Sequence, residues 1–71
     1  SNSKIFLTTR EREVLNMLSQ GSSSRDISAQ LYISSNTVEY HRKQLLRKTA
    51  SRNVAHLISN AYKLRLLRVD D

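Results

Sequence analysis

Residues that can cap a helix stand before the stretches of helical periodicity in this 71-residue chain. Thr8 and Glu11 form the S/T-x-x-E pattern of a capping box, in which the two side chains satisfy free backbone amides. Ser23 and Asp26 repeat the spacing, and Ser34 is a third hydroxyl cap. The chain has no proline, one glycine and few strand signals. It is therefore predicted to be all-α.

Four helices follow from these signals and from the spacing of the apolar residues. Gly21 fits the left-handed position that ends a helix. The predicted elements are helix one, from Thr8 to just before Gly21; helix two, from its cap Ser23 to Leu31 or Tyr32; helix three, from about Ser35 to about Lys48; and helix four, from about Arg52 or Asn53 to about Leu66, with Ser51 or Asn53 as its cap.

The order of these helices indicates a helix-turn-helix. A short helix, the tight connection Tyr32-Ile33-Ser34 and a longer basic helix follow one another, as this motif requires. Apolar side chains hold the two helices at a fixed crossing and leave the outer face of helix three exposed. These anchors are Ile27, Leu31, Ile33, Val38 and Leu45.

A helical wheel at about 100° per residue divides helix three into two faces. Val38, Leu45 and Thr49 form the side predicted to be buried, with His41 and Arg42 at its borders. The opposite side is polar and basic, and its groups can donate to guanine, pair with adenine or grip phosphate. Its residues are Asn36, Tyr40, Lys43 and Arg47, with Glu39 and Gln44 at the edges.

The charge balance favours a polyanionic partner. Twelve lysine and arginine residues stand against six acids, which gives a net charge of +6. From Arg25 to Arg52 there are six basic residues and only two acids, Asp26 and Glu39. The sequence therefore predicts binding to nucleic acid through helix three.

Other classes of protein fit poorly. The chain has no cysteine, and His41 and His56 lie too far apart along it to suggest a metal site. No apolar run approaches the ~20 residues of a membrane span, and no signal peptide is visible. No acid/base pair or phosphate loop suggests an enzyme. We expect a cytoplasmic protein without cofactor, metal or small-molecule ligand.

A dense set of residues between Leu7 and Ile58 matches a known pattern. These residues are Leu7-Thr8-Thr9-Arg10-Glu11-Arg12-Glu13-Val14-Leu15, Gly21, Ser23, Asp26-Ile27, Leu31, Ile33-Ser34, Thr37-Val38, His41 and Lys48. In this string the chain resembles the LuxR/NarL-type helix-turn-helix domain of bacterial transcription regulators. The resemblance implies a domain over residues 7–67, after a tag remnant or linker at 1–6 and before a tail at 68–71.

The resemblance also implies roles for single residues. The positions that read bases in such domains fall on Glu39, Tyr40 and Lys43. The fourth helix would make a two-fold dimer on DNA through Ala55, Ser59 and Tyr62. Residues expected near the DNA backbone, from the resemblance or from their place at the start or on the basic side of helix three, are Ser35, Asn36, Thr37, Arg42, Arg47 and Lys48.

Several positions carry separate expectations. Thr49 and Ser51 stand where the family usually has apolar residues, so the join between helices three and four is expected to be the weakest of the domain. Glu39 is an acid where a lysine is more common, and it should add selectivity at some cost in affinity. Glu13 is expected to bond across helices, and Tyr32 to be part of the core.

Two other functions stay open at this point. Region four of sigma factors has a similar Arg-Glu-Arg-Glu-Val-Leu start, but it usually ends soon after its recognition helix. In this chain a fourth predicted helix, from Asn53 to Leu66, follows the recognition helix. A four-helix protein-interaction module would need an exposed apolar patch, and the basic middle of the chain disfavours it. Regulators with this domain normally carry an N-terminal sensor for a phosphoryl group or a small ligand.

Overall fold

The computed structural model describes residues 5–68, and they form four helices. Helix α1 is Thr9–Ser19, α2 is Ser24–Leu31, α3 is Ser35–Thr49 and α4 is Val54–Lys63. The predicted all-α class and the predicted order of elements are confirmed. Within the predicted segments 1–6 and 68–71, residues 1–4 and 69–71 lie outside the described residues.

Each helix begins after a residue whose side chain caps its first turn. Thr8 and Glu11 make the full capping box of α1, with the Glu11 amide donating to Thr8 Oγ1 over 3.1 Å and the Thr8 amide donating to Glu11 Oε1 over 3.0 Å. Ser23 makes the equivalent box for α2, and Ser34 caps α3. Asn53, rather than Ser51, caps α4. The predicted caps of α1, α2 and α3 are therefore confirmed, and of the two residues predicted for α4 the cap is Asn53.

Helix α3 is the centre of the domain, because it packs against each of the other three helices. One apolar cluster fills the space between them, and Ile5, from the segment before the predicted domain start, packs against it. The fully buried members of this cluster are Val14, Leu15, Ile27, Val38, Leu45, Leu57 and Ala61.

The end of α4 differs from the prediction. We expected the helix to continue to about Leu66, but it ends at Lys63. The backbone reverses at Arg65, which has φ 62°, and the amides of Leu66 and Leu67 both donate to the carbonyl of Ala61. The reversal lets Leu67 enter the core with 8% exposure, whereas a continued helix would place it about 100° from the buried stripe.

The expected burial of Tyr32 is wrong. Tyr32 is the left-handed residue that ends α2, with φ 57° and ψ 42°, and its side chain is 94% exposed. The half-buried neighbours Leu31 and Ile33 pack against the core instead. The connection between α2 and α3 thus turns through a left-handed tyrosine.

Candidate nucleic-acid interface

The first turn of α3 presents polar groups to solvent. Ser34 Oγ accepts a hydrogen bond from the amide of Thr37 over 3.1 Å and lies 2.9 Å from Thr37 Oγ1. Ser35 and Asn36 follow the cap, and both are exposed. The free amides and the positive end of the helix dipole make such a helix start favourable for an anion.

The outer side of α3 is open along its length. Tyr40 is 59% exposed, and Lys43 and Arg47 are also exposed. The Arg47 guanidinium donates to Oε1 of Gln44 over 2.6 and 3.2 Å, which orders its side chain along the helix. The opposite side, with Val38, is buried as the wheel predicts. Helix α3 therefore has one face in the core and one face available to a ligand.

His41 lies at the border between these faces. Its ring is half-buried and stands edge-on to Tyr40, with centroids 5.7 Å apart and an interplanar angle of 66°. Its Nδ1 is buried and has no hydrogen-bond partner among residues 5–68. His41 is thus part of the packing beneath the open face.

Glu39 and Arg42 are linked to α2 through a residue that the sequence analysis missed. Ser24, at the first position of α2, donates a hydrogen bond from Oγ to Glu39 Oε2 over 2.6 Å. Arg42 Nη1 donates to the same Ser24 Oγ over 2.7 Å and lies 3.6 Å from Glu39 Oε2. A hydroxyl fifteen positions before Glu39 carries no periodic signal that could reveal this contact.

Lys48 faces the protein instead of the open side. Its Nζ donates to Glu11 Oε1 over 2.6 Å and to the carbonyl oxygen of Phe6 over 3.1 Å, and it lies 6.0 Å from the centre of the Phe6 ring. The Glu11 side chain is 5% exposed. Burial raises the pKa of Glu11, but the hydrogen bonds from Lys48 and Thr8 and the charge of Lys48 lower it below the ordinary 4.5.

This pair corrects the expectation for Glu13. Glu13 bonds within α1, to Arg10 Nη1 over 3.0 Å, and the side chains of Arg10 and Glu13 are 41% and 45% exposed. Glu11 makes the contact between helices because it lies on the buried side of α1, whereas Glu13 lies about 200° further around the helix. The capping box of α1 is therefore also one half of an ion pair that joins α1 to α3.

Polar side chains form a hydrogen-bond network at the join between α3 and α4. Thr49 is 6% exposed, and its Oγ1 bonds to the carbonyl of Leu45 and to Ser51 Oγ, over 2.8 and 2.6 Å. Asn60 on α4 donates to Ser51 Oγ over 2.9 Å and to the carbonyl of Thr49 over 3.4 Å. The hydroxyl residues replace apolar packing with hydrogen bonds, and the expected weakness of this join stays a prediction.

The stripe on α4 predicted to dimerise lies on its outer side. Ala55 and Ser59 are exposed, and Tyr62 is 41% exposed. Leu57 and Ala61 occupy the opposite side and are fully buried. The three outer residues therefore form a surface that a second molecule can reach.

Comparison with known proteins identifies the family. The sequence-family model for bacterial regulatory proteins of the luxR family matches residues 6–61 of this chain. This chain belongs to the luxR family. The match confirms the expected resemblance.

Two transcriptional regulatory proteins are similar to this chain over most of its length. The CsgBAC operon transcriptional regulatory protein of Escherichia coli is 41% identical over 59 residues, which are 83% of this chain and 27% of that protein. The probable transcriptional regulatory protein NarL of Mycobacterium tuberculosis is 39% identical over 61 residues, 86% of this chain and 28% of that protein. The relatives are transcription regulators and not enzymes.

A solved structure of a response regulator has the same fold. The response regulator ChrA of a heme-sensing two-component system superposes with a TM-score of 0.85 at 35% identity, over 93% of this chain and 33% of that one. This chain thus spans about a third or less of the lengths of these regulators. Residues 6–61 are therefore a helix-turn-helix domain of the luxR family.

Within residues 5–68, no helix is long and apolar enough to cross a membrane.

Proposed function

We propose that this domain binds double-stranded DNA with α3 in the major groove. The observation that carries the proposal is the division of α3 into a side buried against the three other helices and an open side with Tyr40, Lys43 and Arg47. An α-helix fits the major groove, where each base pair presents its own pattern of donors and acceptors. A helix supported from behind can enter the groove without exposing the core.

Glu39, Tyr40 and Lys43 are the proposed base-reading residues. Lys43 can donate to O6 and N7 of guanine, and the Glu39 carboxylate can accept from N4 of cytosine. The exposed Tyr40 ring can contact a thymine methyl group, and its hydroxyl can donate or accept. All three side chains are exposed on neighbouring positions of the outer side of α3.

The proposed contacts to the DNA backbone surround these residues. Ser35, Asn36 and Thr37 lie in the first turn of α3, where the helix dipole favours a phosphate. Arg47 supplies positive charge further along the helix, and Arg42 adds the guanidinium donors other than Nη1, which binds Ser24. Lys48 was expected to contribute as well, but its ammonium group already binds Glu11 and Phe6. We therefore assign Lys48 to the stability of the domain and leave it out of the proposed DNA contacts.

We further propose that two copies bind paired half-sites as a dimer through Ala55, Ser59 and Tyr62 of α4. Small residues beside an exposed tyrosine permit close approach of two helices related by a two-fold axis. The longer lengths of the relatives support a place for this domain as the effector part of a larger cytoplasmic regulator.

Selection of bound sequences from a random pool of duplex DNA, at fixed salt, tests the proposal. The unchanged domain should enrich one motif in two related halves. Lys43→Ala should lower the affinity for DNA. It should also reduce the base preference at one position by about ten- to a hundredfold. Arg47→Ala should weaken binding evenly across sequences and reduce the salt slope by about one.

Arg12→Ala is the matched control, because it removes one positive charge from an exposed position on α1, outside both α3 and α4. Its effect should be small on affinity and absent from the selected motif. The absence of any enriched motif, or an equal effect of Lys43→Ala and Arg12→Ala, would contradict the assignment of α3.

A further inference from the structure

The bonds around Ser24 connect the helix before the turn to the proposed reading face. The Ser24 hydroxyl is both donor and acceptor, because it donates to Glu39 Oε2 over 2.6 Å and accepts from Arg42 Nη1 over 2.7 Å. Glu39 and Arg42 are also 3.6 Å apart on successive turns of α3. Three side chains from two helices thus hold one another in a single arrangement.

Only one of the two carboxylate oxygens of Glu39 takes part in this arrangement. Oε2 faces Ser24 and Arg42, whereas Oε1 accepts no hydrogen bond from any residue between 5 and 68. The Glu39 side chain is 51% exposed. An exposed glutamate normally samples many rotamers, and the entropy lost on fixing them weakens any contact it makes. The contacts with Ser24 and Arg42 favour one rotamer of Glu39 in the domain without DNA.

We propose that Ser24 is a positioning residue for base recognition, which orients Glu39 so that its free oxygen selects cytosine at one position of each half-site. The inference rests on the proposed binding of α3 in the major groove. Ser24 itself need not touch a base. Its hydroxyl sets the direction of the carboxylate, and that direction determines which base edge can donate to it.

The chemistry of the base edges favours cytosine. A carboxylate only accepts, and cytosine presents the N4 amino donor without a neighbouring acceptor on its own major-groove edge. Adenine offers a donor beside the N7 acceptor, and guanine and thymine present acceptors that repel a carboxylate. Arg42 compensates part of the negative charge of Glu39, so the acid can approach the DNA at a smaller cost in affinity.

Selection from a random duplex pool, with single-position preferences measured for each variant, tests the inference. Glu39→Ala identifies the position, because the cytosine preference there should be lost. Ser24→Ala should lower the preference at the same position by about three- to tenfold, as expected when one rotamer-rich side chain loses its preorganisation. Ser24→Thr keeps the hydroxyl and should retain the preference.

Two further proteins separate positioning from a general structural effect. Ser28→Ala is the matched control, since Ser28 also lies on α2 but its hydroxyl donates only to the carbonyl of Arg25 in the same helix. It should leave the motif unchanged. In the double variant with Glu39→Ala, Ser24→Ala should add no further loss at that position.

The possible outcomes are distinct. Ser23 caps α2, so Ser24→Ala leaves the cap in place, and an unchanged thermal midpoint verifies the fold. A Ser24→Ala motif identical to that of the unchanged domain, or one altered equally at all positions, overturns the inference. An unchanged domain that enriches no sequence refutes the proposed DNA binding first, and the role of Ser24 with it.

Discussion

Lys48 in the last turn of α3 donates a 2.6 Å hydrogen bond to Oε1 of Glu11 in the first turn of α1. The same oxygen accepts the amide of Thr8, so one carboxylate closes the cap of α1 and anchors the end of α3. The side chains of Glu11 and Lys48 are only 5% and 22% exposed. The helix proposed to enter DNA is thereby fixed to the rest of the domain at its C-terminal end.

Glu11→Gln should lower the free energy of unfolding by about 2 kcal/mol, because the amide oxygen can still accept from Lys48 but the largely buried ammonium loses its counter-charge. Urea unfolding followed by circular dichroism measures the change. Glu13→Gln removes the exposed Glu13–Arg10 pair and should cost less than about 0.5 kcal/mol. Equal losses in the two variants would show that the inter-helix pair has no special weight.

The same pair predicts a loss of stability in acid. The pKa of Glu11 is lower in the folded domain than the ordinary 4.5 that it regains on unfolding. The contribution of ionised Glu11 to the free energy of unfolding is therefore complete above about pH 5. It disappears as the pH falls through 4.5 toward the pKa of Glu11 in the folded domain. Urea unfolding over a pH series should show the difference between the unchanged domain and Glu11→Gln narrowing in acid. A difference that is independent of pH would contradict the assignment.

Ala50 ends α3 in the left-handed region, at φ 53° and ψ 43°, with an exposed side chain. Ala50→Gly should raise the free energy of unfolding by roughly 0.5–1 kcal/mol, since the relief of Cβ strain exceeds the added freedom of the unfolded chain. Ala29→Gly, at an exposed position inside α2, should instead lower it by about 1 kcal/mol. Thermal unfolding distinguishes the two signs, and destabilisation by both would refute the explanation.

Asn60→Ala should destabilise the domain by about 1–2 kcal/mol, because it leaves Ser51 Oγ and the carbonyl of Thr49 without their donor from α4. Asn16→Ala, on the exposed side of α1, should change stability by no more than about 0.5 kcal/mol. Urea midpoints of both variants provide the comparison. No effect at Asn60 would mean that apolar packing alone holds the join.

Ser59→Arg places a long charged side chain in the centre of the stripe on α4. If this stripe forms the dimer, affinity for paired half-sites should fall about tenfold or more, because two like charges would meet across the two-fold axis. Affinity for a single half-site should stay nearly constant. Gln20→Arg adds the same charge at an exposed position just after α1 and controls for general attraction to DNA. Equal binding of both variants to paired sites would exclude this interface.

Local features of the chain were predictable because their partners are close in sequence. The caps Thr8, Ser23 and Ser34 each bond to an amide three positions later, and that spacing is visible in the letters alone. The two faces of α3 follow from helical geometry applied to one segment. The end of α4 was misplaced because the apolar pattern continues through Leu66 and Leu67 after the helix has stopped.

The sequence by itself determined the helices, their order and the side of α3 that stays open, since these depend on spacings within a turn or two. Only the tertiary structure decided which charges are used inside the domain. Glu11 meets Lys48 across 37 positions, and Ser24 meets Glu39 across 15. Such contacts depend on how two helices cross, and the crossing is set by the packing of the whole core. A residue's place on a wheel therefore indicates which way it faces, but not what it binds.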